Sequence, residues 1–232
     1  MFNKKGIQKI FAQIPATYEL INTVLTLGMD SFWRRKASKL AAQYGGTRWL
    51  DVCSGTAQTA INLSRLAVRG TKIVALDFSL PMLCEGALKP QANRIYFCAA
   101  DAARLPFFDN TFDLVTISFA TRNITSSRDM LTKYFQEFRR ILKPGGRFVN
   151  LETSQPKFFI LRKLFHLYIR TIVMSVGSLF SGSRRAYSYL AYTIPRFFCA
   201  DELSDIIYQS GFRSVNYSFL SFGITAIHTA NK

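Results

Sequence analysis

Thr47-Arg-Trp-Leu-Asp-Val-Cys-Ser-Gly-Thr-Ala57 reads as a buried strand that runs into a tight turn. Trp49, Leu50, Val52 and Cys53 form a short apolar, strand-favouring run, and Ser54, Gly55, Thr56 and Ala57 are small enough to let a ligand approach the backbone. From Thr59 onward, Ala60, Ile61, Leu63, Leu66 and Ala67 recur at helical spacing. Strand, glycine turn and helix open a nucleotide-binding α/β half, in which the turn's N–H groups and the helix start hold a polar ligand. Asp51, near the strand end, is expected to face the same crevice. A single glycine equally fits a structural turn that holds nothing, so the decision falls to the flanking sequence.

Downstream the pattern alternates. Lys72–Asp77 predicts a second strand ending in an acid, with Ser79 placed to cap the next helix. Arg94–Ala100 predicts a third strand, ending at Asp101, and Phe112–Ser118 a fourth. Residues 127–142 predict a helix with Tyr134, Phe135, Phe138, Ile141 and Leu142 inward, after which Lys143-Pro-Gly-Gly146 turns into a fifth strand, Arg147–Glu152. A helix from Asp201 to Ser210, C-capped by Gly211, and strands Ser214–Leu220 and Ile224–His228 close the chain. Strands separated by helix-length patterns imply a parallel sheet covered on both faces. The expected fold class is therefore α/β: a Rossmann-like, seven-stranded, mostly parallel sheet with helices on both faces.

Upstream, residues 1–45 predict an N-terminal helical extension: one helix over 7–14, one over 18–25, and one from Asp30 as N-cap to the Gly45-Gly46 break. The whole chain reads as a single domain, with N-terminal helices over 1–45, a cofactor-binding core over 46–152, a helical insertion after strand five over 153–198, and a closing helix and strands over 199–232. The Phe-, Tyr- and Arg-rich stretch 157–198 fits a substrate cover, and equally an ordinary helical pair packed on the sheet.

With 21 Phe and 10 Tyr in 232 residues, the chain can bury a sizeable core. Its net charge of +16, from 30 Lys and Arg against 14 Asp and Glu, implies a polyanion nearby: nucleic acid, an anionic membrane surface, or a basic proteome at large. The positive residues come in short scattered pairs, which argues against a dedicated nucleic-acid tail. Cys53, Cys84, Cys98 and Cys199 show no C-x-x-C spacing and read as buried free thiols of a reducing compartment. His166 and His228 lie far apart, so no metal site is expected. There is no signal-peptide core, and no run approaches the ~20 apolar residues of a spanning helix. A cytoplasmic protein follows, at most peripheral at the inner face of the membrane.

Asp77 lies one strand–helix–strand step beyond Gly55, where a carboxylate can accept from both ribose hydroxyls of a nucleoside bound over the first turn. Asp101 sits where an adenine ring would lie, able to accept from its exocyclic amine while Ala102 offers a backbone N–H. Arg104-Leu-Pro-Phe107 can wall the ring. Acids at three strand ends, without Gly-x-Gly-x-x-Gly, favour a phosphate-free nucleoside. S-adenosylmethionine fits; NAD is the runner-up, disfavoured because Ser54-Gly-Thr-Ala-Gln58 lacks the glycines that admit a pyrophosphate.

Longer stretches carry a more specific signal. Tyr18-Glu-Leu-Ile-Asn22, Thr26-Leu-Gly-Met-Asp30 and Trp33 are similar to a signature Tyr-Asp-x-Met-Asn…Ser-x-Gly-x-His-x-x-Trp, and Arg140-Ile-Leu-Lys-Pro-Gly-Gly-Arg-Phe-Val-Asn-Leu-Glu-Thr-Ser154 to a second one almost throughout. Leu105–Asp113 and Thr116–Asn123 add to the likeness. The chain thus resembles, over nearly its whole length, the UbiE-type C-methyltransferases of ubiquinone and menaquinone synthesis. The resemblance implies that Thr56, Asp77, Asp101, Ala102 and Ser118 contact S-adenosylmethionine and that Arg122 and Asn123 stand at the methyl-acceptor side as catalytic residues. The chain departs from the pattern at Glu19 for Asp, Ile21 for Met, Thr26 for Ser and Asp30 for His. Its first turn, Ser54-Gly-Thr-Ala57, stands where the family has Gly-Gly-Thr-Gly, and Gln58 replaces an acid.

The reaction implied is methyl transfer to a ring carbon of a reduced, prenylated quinol, demethylmenaquinol or the ubiquinol precursor. The acceptor must lose a phenolic proton; Arg122 is expected to stabilise the phenolate and Asn123 to orient it. No base is named, with Tyr187 and Tyr189 as candidates. The Phe-rich insertion and the N-terminal helices are expected to build the groove for the tail, with basic residues around it docking on an anionic membrane. Three alternatives stay open: another small acceptor, RNA (no Pro-Cys pair is present), and a non-catalytic subunit of this fold that binds no cofactor. A homodimer is compatible with the sequence.

Overall fold

Strand β1 (Arg48–Val52) is the third strand, beside the central one, of a seven-stranded sheet of order β3-β2-β1-β4-β5-β7-β6. A computed structural model of the protein describes residues 15–125, 127–173 and 184–232. The other strands are β2 (Lys72–Asp77), β3 (Ile95–Ala99), β4 (Phe112–Ser118), β5 (Leu142–Thr153), β6 (Arg213–Leu220) and β7 (Thr225–Asn231). The strands β1 to β5 pair in parallel, with Asp51 opposite Ala75 on one side and Thr116 on the other. Only β7 runs against the rest, between β5 and β6. Strand order reverses between β1 and β4, which opens a crevice at their carboxyl ends, where α/β sheets bind ligands.

Both faces of the sheet are covered. On one face α6 (Arg128–Ile141) and α9 (Ala200–Gln209) bury Phe135, Phe138 and Ile206 against Phe148 and Phe212. On the other, α2 (Met29–Ala42) and α3 (Gln58–Leu66) bury Trp33, Ala41 and Leu63 against Trp49 and Ile73. Each such side chain contributes about 1.5–3 kcal/mol on burial, which is why the alternating apolar pattern dictated the layers. The helix α4 (Leu80–Ala87) follows β2, and the short α5 (Thr121–Ile124) follows β4. A third apolar cluster lies apart from the sheet. It joins Leu25 of α1 (Pro15–Leu25) to Phe165 of α7 (Phe159–Tyr168), to Ile169 and Val173 in the π-helical turn after it, and to Ala191 of α8 (Arg184–Thr193).

Several local expectations shift. The helix predicted over 7–14 lies outside the described residues. The helix expected to start on Asp30 begins at Met29 behind Gly28, whose φ of 77° puts the turn in the left-handed region, so Asp30 occupies the first turn and not the cap. Ser79 holds the N-cap position of α4, but its hydroxyl makes no capping bond; the Asp77 carboxylate accepts the Ser79 N–H instead, at 2.8 Å. Ser127 does cap α6, accepting from Met130 N–H. The cysteines form no disulfide with a described residue, and they are not buried as expected: Cys84 faces solvent on α4, and Cys53, Cys98 and Cys199 are half-buried. Cys53 sits at a cavity rim, Cys98 on the edge strand β3, and Cys199 at the start of α9, positions where no second layer covers them.

Candidate active site

The turn after β1 is strained on purpose. Cys53, Gly55 and Ala57 have φ of 54°, 56° and 64°, and for the two non-glycine residues the left-handed region costs ~1–2 kcal/mol each. The turn is supported from below and from the side. Asp51, fully enclosed, accepts from the Ser54 hydroxyl at 2.8 Å and from the Thr116 hydroxyl at 2.7 Å, and burial pushes its pKa up to about 6. It underpins the turn and does not line the cavity above it. Gly86 of α4 packs so closely that a Cβ there would stand 3.0 Å from the Thr56 carbonyl carbon. Asp77 accepts from Gly55 N–H at 2.9 Å; burial also lifts its pKa. The Thr56 hydroxyl donates to the Glu19 carboxylate, which pairs with Lys89, and Lys89 Nζ donates to the Thr56 carbonyl at 2.7 Å. Glu19 therefore fastens α1 over the turn.

Above the turn lies a cavity of about 90 Å³. Gly55, Thr56, Asp77, Asp101, Ala102 and Ser118, drawn from the carboxyl ends of four neighbouring strands and the turns after them, all line it. Around Gly55 the space where a Cβ would stand is open to at least 4 Å. Two carboxylates, which accept hydrogen bonds, suit the ribose hydroxyls and an adenine amine, and a single arginine stands beside them. That arginine is Arg34 of α2, which donates to the Thr59 hydroxyl at 3.0 Å and lies 5.0 Å from the Phe119 ring. S-adenosylmethionine fits these residues.

A second cavity, of about 280 Å³, adjoins the first. Leu25, Phe165, Ile169, Val173, Leu190 and Ile194 give it apolar walls, so α1 and residues of the 157–198 insertion line it together. Arg34, Phe119 and Asn123 line both cavities and mark where they meet. Phe119, held at φ 56°, stands 5.9 Å from Trp33, whose Nε1–H donates to the Ser221 hydroxyl at 2.9 Å. The polar end of this cavity carries Asp30, Arg122, Asn123, Thr153 and Tyr189.

Arg122 is itself buried and held from behind. Its Nη1 donates to Glu152 at 3.1 Å and to the Thr153 hydroxyl at 2.9 Å, and its backbone N–H reaches the other Glu152 oxygen at 3.1 Å. Glu152, wholly enclosed, also accepts from Thr153 N–H and hydroxyl at 2.8 and 2.9 Å. The Nη2 group of Arg122 has no hydrogen bond to a described residue, and Asn123 Oδ1 is a buried acceptor without a partner. Burial holds the Tyr189 phenol above its usual range, and the side chain of Tyr187 lies outside what the structure describes. His166 bonds Gln155, and His228, its pKa pushed down to about 4 by burial, bonds the Ala200 carbonyl; neither lines either of these two cavities.

The family described as ubiE/COQ5 methyltransferase matches residues 1–232. The chain belongs to this family. Curated relatives named demethylmenaquinone methyltransferase include those of Bacillus subtilis, 36% identical over 97% of this chain and 96% of theirs, and Thermus thermophilus, 36% identical over 96% of this chain and 100% of theirs. That of Lactiplantibacillus plantarum is 34% identical over 98% and 96%. Among solved structures, a Thermotoga maritima S-adenosylmethionine-dependent methyltransferase superposes with a TM-score of 0.68 at 18% identity, covering 97% of this chain and 99% of that one, which supports the fold. This ubiE/COQ5 protein is an S-adenosylmethionine-dependent methyltransferase. Sequence reasoning missed Arg34, Asp30, Thr153 and the Glu152 anchor. Arg34 carried no signal beyond its helix, whereas Glu152 and Thr153 stand in the second signature stretch, and Asp30 stood out as a departure from the first.

Proposed function

We propose that the enzyme methylates a ring carbon of a reduced, prenylated quinol, and that demethylmenaquinol is its acceptor. The relatives' name supports the naphthoquinol over the ubiquinol precursor. The observation that carries the reading is the apolar cavity that ends in Arg122 and Asn123 and shares Arg34, Phe119 and Asn123 with the nucleoside cavity. In this reading Asp77 holds the ribose hydroxyls, Asp101 and Ala102 the adenine edge, and Gly55, Thr56 and Ser118 close the cavity around the cofactor. When bound, S-adenosylmethionine supplies an electrophilic methyl group on a sulfonium.

The protein's part is to make the acceptor ring electron-rich and to aim it. Arg122, its guanidinium fixed by Glu152, donates its unspent N–H groups to an acceptor hydroxyl and stabilises the oxyanion that forms there. Asn123 orients the ring at the junction. The apolar walls exclude water, and the 157–198 insertion covers the acceptor and guides its tail. On the outer face of α7, Phe159, Ile160, Leu164 and Leu167 are exposed beside Phe158, with Lys157, Arg162, Lys163 and Arg170 around them. Apolar side chains ringed by cations fit peripheral docking on an anionic bilayer, the source of a prenylated substrate. Among the described residues no helix is long and apolar enough to cross one.

The test is methyl-labelled S-adenosylmethionine with reduced demethylmenaquinol in detergent, for the wild type and Asp77→Ala. Label on the ring carbon, with cofactor binding weakened ~100-fold or more in Asp77→Ala through loss of charged hydrogen bonds, is the expected result. Cofactor binding without any ring label refutes the quinol assignment.

A further inference from the structure

The acceptor hydroxyl must give its proton to something, and among the described residues the cavity lining leaves one candidate. Five ionisable side chains among the described residues line the acceptor cavity: Asp30 and Arg34 from α2, Arg122 from α5, Tyr168 from α7 and Tyr189 from α8. The two arginines only donate. Tyr168 donates to the Leu25 carbonyl at 2.6 Å, and burial keeps the phenols of Tyr168 and Tyr189 above their usual range, so neither supplies a ready phenolate. Glu152 lies behind Arg122, outside the lining, with both oxygens engaged.

Asp30 differs from all of them. Its side chain is buried, 4% exposed, in the first turn of α2. One oxygen, Oδ1, accepts from the Thr26 hydroxyl at 3.1 Å, and the Asp30 N–H donates back to that hydroxyl at 3.2 Å. The other oxygen has no hydrogen bond to a described residue, and no Lys or Arg nitrogen among the described residues comes within ion-pair distance. A buried carboxylate with an unspent oxygen at the wall of an apolar cavity is costly unless a ligand completes it. One helical turn on, Arg34 lines both cavities, so Asp30 stands next to their junction.

We propose that Asp30 is the proton acceptor for the methyl-acceptor hydroxyl, the catalytic base of the reaction. The inference rests on the quinol reading above and deepens it. The hydroxyl O–H breaks and its proton passes to the free Asp30 oxygen. The electron pair stays on the phenolate, which Arg122 stabilises, and is delocalised onto the ring carbon that forms the new bond to the methyl group as its bond to sulfur breaks. The ring carbon then loses its hydrogen to water, and Asp30 returns its proton to the oxygen, so aromaticity is restored and one proton is released per methyl transferred.

The test compares the wild type with Asp30→Asn, which keeps an acceptor for Thr26, and Asp30→His, which places a second kind of base there. Three quantities are read: cofactor affinity by calorimetry, kcat against pH, and the affinity of 4-methoxy-1-naphthol, a redox-stable phenol, against pH without cofactor. Asp30→Asn is expected to keep cofactor affinity within about three-fold and to lose kcat ~100-fold or more, the contribution of a positioned base. Asp30→His is expected to recover about a tenth of the wild-type kcat or better, with the acid limb moved up towards the imidazole range. Naphthol affinity should fall in the wild type as pH is lowered and stay flat in Asp30→Asn. An Asp30→Asn enzyme within about three-fold of wild-type kcat, or a naphthol affinity in wild type that does not change with pH, overturns the proposal; the second holds even if the Asn variant does not fold. A wild type that makes no ring-methylated quinol fails the quinol reading instead, and the naphthol titration then decides the Asp30 site by itself.

Discussion

Removing the Arg122 cation should cost more in stability than any surface arginine would, because of what it leaves behind. Glu152 is 0% exposed and Arg122 6%. In Arg122→Met the carboxylate keeps only backbone N–H groups and the Thr153 hydroxyl, and its charge stays buried without a counter-ion. Breaking a buried pair from one side costs ~3–5 kcal/mol. For a chain of this size each kcal/mol moves Tm by about 2–4 °C, so Arg122→Met should melt about 6–20 °C below the wild type. The double variant Arg122→Met/Glu152→Gln removes the stranded charge and keeps a carbonyl oxygen for the Thr153 N–H and hydroxyl, while the backbone N–H at position 122 loses its acceptor. It should recover more than half of the lost Tm. Calorimetric melts give the stability, and labelled-methyl transfer, assayed well below every Tm, gives the activity. Both variants should transfer methyl groups ~100-fold more slowly or worse, since neither presents a guanidinium to the acceptor oxygen. Loss of stability in the single variant alone, with loss of activity in both, separates the two duties of Arg122. A single variant that melts within about 2 °C of wild type, or a double variant as unstable as the single, refutes the claim that this is a tightly held buried pair.

Two further outcomes are open to measurement. His228 has a pKa of about 4 in the fold against 6.5 unperturbed, because burial disfavours its charged form. The unfolded chain binds that proton more readily, so the contribution is complete above pH 6.5 and is lost as pH falls towards 4, amounting to about 3 kcal/mol. Urea titrations should therefore show the stability gap between wild type and His228→Gln shrinking by that amount from pH 7 to pH 4. Asp51 works the other way. Its pKa of about 6 lies above the unfolded 3.8, so acidification through that window relieves the fold, and Asp51→Asn should lose stability faster than wild type there. A gap independent of pH in both variants refutes these assignments. For membrane docking, flotation with phosphatidylserine vesicles should carry the wild type and release Phe159→Glu/Leu164→Glu, with binding also falling as salt rises. Equal flotation of both proteins removes α7 as the docking face.

The parts of the molecule legible from sequence are those decided by neighbours within a few residues. The β1 run, the turn at Gly55 and the acids at the ends of β2 and β3 follow from short periodicities, and parallel pairing then brings Asp77 and Asp101 to one cavity without any further information. What escaped is decided across distance. Nothing local tells Glu152 that it will meet Arg122, or Glu19 that it will hold Thr56 and Lys89. Asp51 shows the limit of the periodic argument: its place at the strand end is right, yet the side chain turns under the loop to Ser54 and Thr116 instead of into the cavity. Asp30 reads as a cap by residue type, and the left-handed Gly28 takes the cap, sets Asp30 two positions inside it and leaves its second oxygen for the cavity.

That two-residue shift bears on what the N-terminal helices are for. An extension ahead of a complete α/β sheet can be mere cladding, and the Trp33 and Ala41 faces of α2 do clad it. Yet the same helix sends Asp30 to the acceptor cavity and Arg34 to both cavities, while Trp33 packs beside Phe119 at their junction. Glu19 on the preceding helix grips the cofactor turn from outside. The sheet supplies the nucleoside-binding half by geometry common to the fold, and similar sheets bind the same cofactor for many acceptors. The acceptor half is built by elements the sheet does not require, α1, α2 and the 157–198 insertion. On the quinol reading proposed above, selection of the acceptor falls to those elements, and Asp30 is one of the positions where this chain departs from the family signature.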